Sequence, residues 1–126
     1  MTILAIDTTS EAGGAAIYDD DACLARIAHA GAANQYSVAL FEMTARLVAE
    51  VSARPNSQLK SQRDIDLYAV ANGPGSFTGI RVGIAAVLAW ASGASIPTIR
   101  MTWTSLRCAP PRSWYTGIPK ALALRS

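Results

Sequence analysis

Apolar residues run unbroken through residues 2–7 (TILAID) until Asp7 ends them, which predicts a buried strand. Gly13 to Tyr18 reads as a second strand, Asp19-Asp20-Asp21 as a hairpin turn, and Ala22 to His29 as a third strand. The period then changes. Between Asn34 and Ala53, Tyr36, Leu40, Met43, Leu47 and Val51 follow one another three or four residues apart, the seam of an amphipathic helix. Phe41 and Val48 widen that seam sideways, which fits either a broad core face or a second contact with a partner helix. Arg46 and Glu50 are placed as an i,i+4 pair on the polar side. Arg54 to Arg63 is polar, contains Pro55 and reads as an exposed loop. Leu67 to Ala71 reads as a short buried strand, and Ile96 to Ile99 as another, entered through Pro97.

Between those two strands lies the most distinctive stretch, Gly73 to Ala94. Pro74 fixes its own φ, and Gly75 can take the positive φ that a type II turn requires. Ser76 or Thr78 can cap the helix that follows. Gly79 and Gly83 fall one turn apart on that helix, where they allow another backbone or helix to come close. The order β-β-β-α-β-α-β, a meander followed by alternating units, predicts an α/β fold with a mixed five-stranded sheet and two main helices.

Composition sharpens this picture in three respects. At 126 residues the chain suits one domain, and its 51% hydrophobic and 16% charged residues suit a packed, soluble one. All nine acids lie at or before Asp66, so residues 1–100 carry −2 while residues 101–126 carry +4. Such a basic segment, with Trp103 and Trp114 interleaved, fits either single-stranded nucleic acid or a terminus with no selected fold. Cys23 and Cys108 stand alone without metal-type spacing, which points to a reduced, cytoplasmic setting. Neither a signal peptide nor an unbroken apolar span is legible, so no membrane partner is expected.

The chemistry on offer is limited. His29, the single histidine, sits in a predicted strand, and neither a Walker A motif nor a dinucleotide fingerprint occurs. A Ser-His-Asp or Cys-His site built on His29 has no supporting signature, and no metal-ligand spacing is legible. Asp7 and Thr8, at the carboxyl end of the first strand, could meet phosphate together with Gly73, Gly75 and Ser76 at the start of the helix. Alternatively, Asp7 caps its own turn through its side chain.

GPGSFTGIRVGIAAVLAWA resembles the G-P-G-S-F-T-G-x-R-x-G signature of the bacterial tRNA threonylcarbamoyladenosine biosynthesis protein TsaB (YeaZ) family. ILAIDTTSEAGGAAIY is similar to the opening strands of that family, and SIPTI to the segment after its second helix. The resemblance covers residues 1–100. It implies an actin-like ATPase (ASKHA, ribonuclease-H-like) domain, normally one of two. It implies a non-catalytic subunit that binds and organises TsaD, the enzyme that transfers threonylcarbamoyl to the adenosine beside the anticodon, giving N6-threonylcarbamoyladenosine (t6A). TsaE, an ATPase, joins through TsaD, and tRNA is met only indirectly. No cofactor is required, with ATP or ADP binding at Asp7, Thr8, Gly73, Gly75 and Ser76 as a secondary option.

The two helices, 34–53 and 78–92, would contact TsaD or, in a homodimer, a second copy. Tyr36, Leu40, Met43 and Leu47 of the first helix, with Gly79, Ile80, Gly83, Ile84 and Val87 of the second, are the expected interface. Two departures stand out. The family often opens its first helix His-Ser-x-x-Leu-Leu-Pro, and TsaD holds a metal through histidines there, whereas this chain has Tyr36-Ser37. After Ile99 the family continues into a second domain, whereas residues 101–126 form a basic tail, expected to be poorly ordered and to arise from a frame change or premature end. The alternatives to a partner subunit are a nucleotide-binding hydrolase or peptidase-like enzyme of the same superfold, and a non-functional truncated fragment.

Overall fold

A computed structural model describes residues 1–11, 13–20, 22–29, 36–71, 75–94 and 98–101. Five strands, β1 (Thr2–Asp7), β2 (Gly14–Asp19), β3 (Ala22–Ala28), β4 (Leu67–Ala71) and β5 (Thr98–Met101), form one sheet in the order β3-β2-β1-β4-β5. The first three make an antiparallel meander, and β4 and β5 add in parallel on the other side of β1. Parallel neighbours need crossover connections, and the two helices, α1 (Tyr36–Ser52) and α2 (Phe77–Ala94), lie on those crossovers. This is the mixed α/β sheet that the pattern predicts. The basic tail, residues 102–126, lies outside the described residues, as do Gly73 and Pro74.

Burial follows the sequence pattern closely. β1 and β4 are apolar without alternation and buried almost throughout, as strands covered on both faces must be. β3, at the sheet edge, alternates and stays largely exposed. Both helices pack on one face, where Leu4, Ile6, Ile17 and Val70 meet Leu40, Met43, Leu47 and Val51 of α1 and Ala86, Val87 and Ala91 of α2. Each large aliphatic side chain buried there contributes about 1.5–3 kcal/mol.

That packing corrects part of the expected interface. Tyr36, Leu40, Met43, Leu47 and Val87 are buried inside this chain, so their side chains cannot also face a partner. A helical seam states only that something apolar covers it, and here the chain's own sheet does so.

Two smaller differences have local causes. The polar loop contains a short 3₁₀ turn at Gln62–Asp64, closed by a reciprocal capping box between Ser61 and Asp64. Asp64 accepts from the Lys60 and Ser61 N–H groups at 2.9 Å each, which holds its carboxyl below the usual range. Glu50 pairs with Arg54, its i,i+4 neighbour toward the helix end, at 3.4 Å instead of with Arg46. The last strand is described over Thr98–Met101, and Ile96 and Pro97 of its apolar run lie outside the described residues.

Candidate functional site

The carboxyl end of β1 meets the amino end of α2, and the contact is made through hydrogen bonds and close backbone approach. Ser76 precedes the first helical residue, and its hydroxyl accepts the Gly79 N–H at 3.2 Å, so Ser76 is the cap. The Ser76 N–H donates in turn to the Thr9 carbonyl at 2.6 Å. Gly75 holds a φ of +156°, and a Cβ there would overlap the same Thr9 carbonyl. Only glycine satisfies both conditions.

One turn further on, the Thr8 hydroxyl donates to the Gly79 carbonyl at 2.6 Å. A Cβ on Gly79 would overlap the Thr8 carbonyl oxygen, and one on Gly83 would overlap the Thr8 hydroxyl. The Gly79/Gly83 face, expected to admit a partner, therefore admits the chain's own Thr8, just after the first strand.

Asp7 lies beneath this junction. Its Oδ1 accepts both the Thr9 N–H at 2.9 Å and the Thr9 hydroxyl at 2.6 Å, the turn-capping role anticipated as the plainer alternative. Its Oδ2 is buried and has no hydrogen-bond partner. Burial pushes the carboxyl above its usual range, and the two Thr9 bonds only partly offset that. Asp7, Thr8, Gly75 and Ser76 are thus brought together as expected, while Gly73 lies outside the described residues. Asp7 is the only carboxylate in this group. Among the described residues, no three His, Cys, Asp or Glu side chains gather in a metal-like cluster.

Beside it, the Tyr36 hydroxyl donates to the Ser10 carbonyl at 2.6 Å, and its ring lies 4.1 Å from that of His29. Burial raises the phenol to about 12. Tyr36 therefore anchors the loop after β1 to the start of α1 as a neutral hydrogen-bond donor.

The outward surfaces of the two helices differ from their inward ones. Val38 (78% exposed) and Phe41 (56%) stand out from α1, as do Phe77 (72%) and Leu88 (51%) from α2. Phe77 and Leu88 lie exposed along one side of α2, with Ile80 and Ile84 half-buried at the margin. The Arg81 guanidinium lies 5.2 Å from the centroid of the Phe77 ring. Phe41 meets the half-buried Trp90 edge to face at 5.5 Å. No helix among the described residues is long and apolar enough to cross a membrane. Sequence reasoning missed Val38, Phe77 and Leu88, although each is an apolar residue off the buried seam of its helix.

Comparison with known proteins gives a consistent result. The family model "TsaD: tRNA N6-adenosine threonylcarbamoyltransferase" matches residues 29–105. The tRNA threonylcarbamoyladenosine biosynthesis protein TsaB of Escherichia coli (strain K12) is 35% identical over 99 residues, covering 79% of this chain and 39% of that protein. TsaB of Bacillus subtilis (strain 168) is 33% identical over 102 residues, covering 79% and 41%. The structure of YeaZ from Pseudomonas aeruginosa superposes with a TM-score of 0.62 at 27% identity, covering 79% of this chain and 43% of that one. The chain thus spans about two-fifths of the curated relatives it matches. Matching in sequence and in overall fold, this chain belongs to the TsaB/YeaZ family.

Proposed function

We propose that this chain acts in t6A modification of tRNA as a non-catalytic subunit that binds and organises TsaD through the outer face of α1 and α2. The observation that carries this reading is the set of large apolar side chains left exposed there, Val38, Phe41, Phe77 and Leu88. Exposed apolar surface concentrated on neighbouring elements marks an interaction site. The interface we assign is therefore narrower than the seams suggest: these four residues, with Ile80 and Ile84 at the margin. The same face would serve a homodimer, TsaE would be reached through TsaD, and the setting would be the cytoplasm.

Co-purification with TsaD tests it. Phe41→Glu and Leu88→Glu are expected to abolish capture, while Arg26→Glu on the edge strand β3 leaves it unchanged. Retention of TsaD by both helix variants would refute the assigned face.

A second reading, ATP or ADP binding at the β1–α2 junction, is favoured by the Asp7 Oδ2 that lacks a partner. Against it, the Ser76 N–H that a phosphate would need is already given to Thr9. Calorimetry with ATP and magnesium separates the two readings, since heat that disappears in Asp7→Ala would favour nucleotide binding.

A further inference from the structure

The strand β3 is an open edge of the sheet, and its register shows which groups it offers. Among the described residues nothing pairs with its outer side. The His29 N–H donates to the Gly13 carbonyl at 2.9 Å, which makes Gly13 and His29 a hydrogen-bonded pair. Such pairs recur at every second residue, at Ala15 with Ile27 and at Ile17 with Ala25. The N–H and C=O groups of Arg26 and Ala28 therefore point away from β2. Side chains alternate as well. Ile27 faces α1, where a cleft of about 410 Å³ opens beside the strand, lined by Ile27, Leu47 and Ala49 with Arg26, Arg46 and Glu50. Arg26 lies across from Ala16, whose side chain is on the opposite face of the sheet. Among the described residues, neither Arg26 nor Arg46 pairs with a carboxylate.

We propose that β3 takes up an extended segment of another protein by antiparallel strand addition. In this mode main-chain hydrogen bonds give affinity, and pockets for alternate side chains give specificity. Both parts are present. The outward groups of Arg26 and Ala28 supply two hydrogen-bonded pairs, and antiparallel pairing is the more stable arrangement per residue. The incoming residue opposite Ile27 falls in a non-hydrogen-bonded pair, where side chains come closest, and it points into the cleft. An apolar side chain fits there. The next residue of the segment lies opposite Arg26 on the other face, where an acid supplies the missing counter-charge. The segment is thus read as an apolar residue followed by Asp or Glu. The bulge beside Ile17 and Tyr18 confines the regular edge to residues 25–28. Charge selects this occupant over a second copy of the chain. β3 (ACLARIA) carries no acid, so self-pairing would bring two arginines to one face and leave both without a counter-charge. The strand also lacks the proline or lysine that commonly blocks an edge.

The test uses the full chain and a fluorescein-labelled KTVLETK peptide, whose valine, leucine and glutamate would lie opposite Ala28, Ile27 and Arg26. Fluorescence anisotropy is expected to rise saturably, and amide shifts in ¹⁵N-labelled protein to centre on residues 25–28. N-methylation of the valine or the glutamate removes an N–H that faces β3 and should weaken binding about tenfold. N-methylation of the leucine, whose N–H faces away, should change it by less than about twofold. Arg26→Glu should weaken binding about fivefold, and replacing the peptide glutamate by lysine should restore it. No saturable binding, shifts centred elsewhere, equal effects of all the methylations, or an unaffected Arg26→Glu variant would each overturn the proposal. Concentration-dependent shifts of the same amides without peptide would place a second copy on the edge and would equally overturn it.

Discussion

Thr8 and Gly79 interlock: the Thr8 hydroxyl donates to the Gly79 carbonyl at 2.6 Å, while the missing Gly79 side chain makes room for the Thr8 carbonyl. The hydrogen bond requires the close approach, and the close approach requires glycine. The family signature around this position is thus, in this chain, a device for seating α2 directly on the end of β1.

Gly79→Ala should destabilise the chain by about 1–3 kcal/mol, because the new Cβ meets backbone that cannot turn aside. The helix-propensity gain of about 1 kcal/mol is not enough to reverse this. Gly83→Ala meets the Thr8 hydroxyl instead, so its cost should shrink in a Thr8→Ala background, whereas that of Gly79→Ala should not. Urea denaturation of the two double-mutant cycles checks the contrast, and equal coupling in both would contradict it.

Buried Leu40 and exposed Phe41 are adjacent in sequence and should respond oppositely to charge. Leu40→Glu places a carboxylate in the core and should cost more than about 4 kcal/mol, enough to unfold a marginal domain. Phe41→Glu should cost about 1 kcal/mol, chiefly its edge contact with Trp90. Thermal melts of both variants decide this, and a folded Leu40→Glu chain would be inconsistent with the assigned core.

Stability should depend on the protonation of Asp7. Its carboxyl is raised above the ordinary 3.8, so the folded chain keeps a proton over a window in which the unfolded chain has lost it. The associated stability is fully present below 3.8 and is lost as pH rises through the folded value. Asp7→Asn should remove this dependence, and its melting temperature relative to wild type should fall as the pH is lowered toward that window. Asp64, whose carboxyl is lowered, works in the opposite sense: its contribution is present above 3.8 and lost as pH falls through the folded value. Melting curves collected from pH 7 downward on Asp7→Asn and Asp64→Asn should therefore diverge in opposite directions from wild type.

Removing the Tyr36 hydroxyl deletes the 2.6 Å bond that it donates to the Ser10 carbonyl. Tyr36→Phe should cost about 1 kcal/mol. A spectrophotometric titration should also find one tyrosine titrating near 12 in wild type that is missing from the variant. An unchanged titration profile would show that Tyr36 is not the buried phenol described here.

Much of the fold is legible in one dimension because its signals are local. The continuous apolar runs of β1 and β4, the three-and-four spacing of α1 and the turn chemistry at Gly75 and Ser76 each depend on residues close in sequence. The capping of Asp7 by Thr9 spans only two positions and could be foreseen as one of two roles. What covers a surface is not local. The seam from Tyr36 to Val51 would look the same against a partner as against the sheet, and so would the glycines of α2.

The sequence by itself determined the order of the elements, the need for glycine at the start of α2 and the family, and it narrowed the cap of α2 to Ser76 or Thr78. Only the tertiary structure decided that Gly79 and Gly83 face Thr8, that the helical seam is core, and that Val38, Phe41, Phe77 and Leu88 remain outside. The physical reason is that hydrophobic burial is non-directional. A pattern of apolar residues fixes which side of an element must leave water, and the packing of the whole chain then selects the surface that receives it.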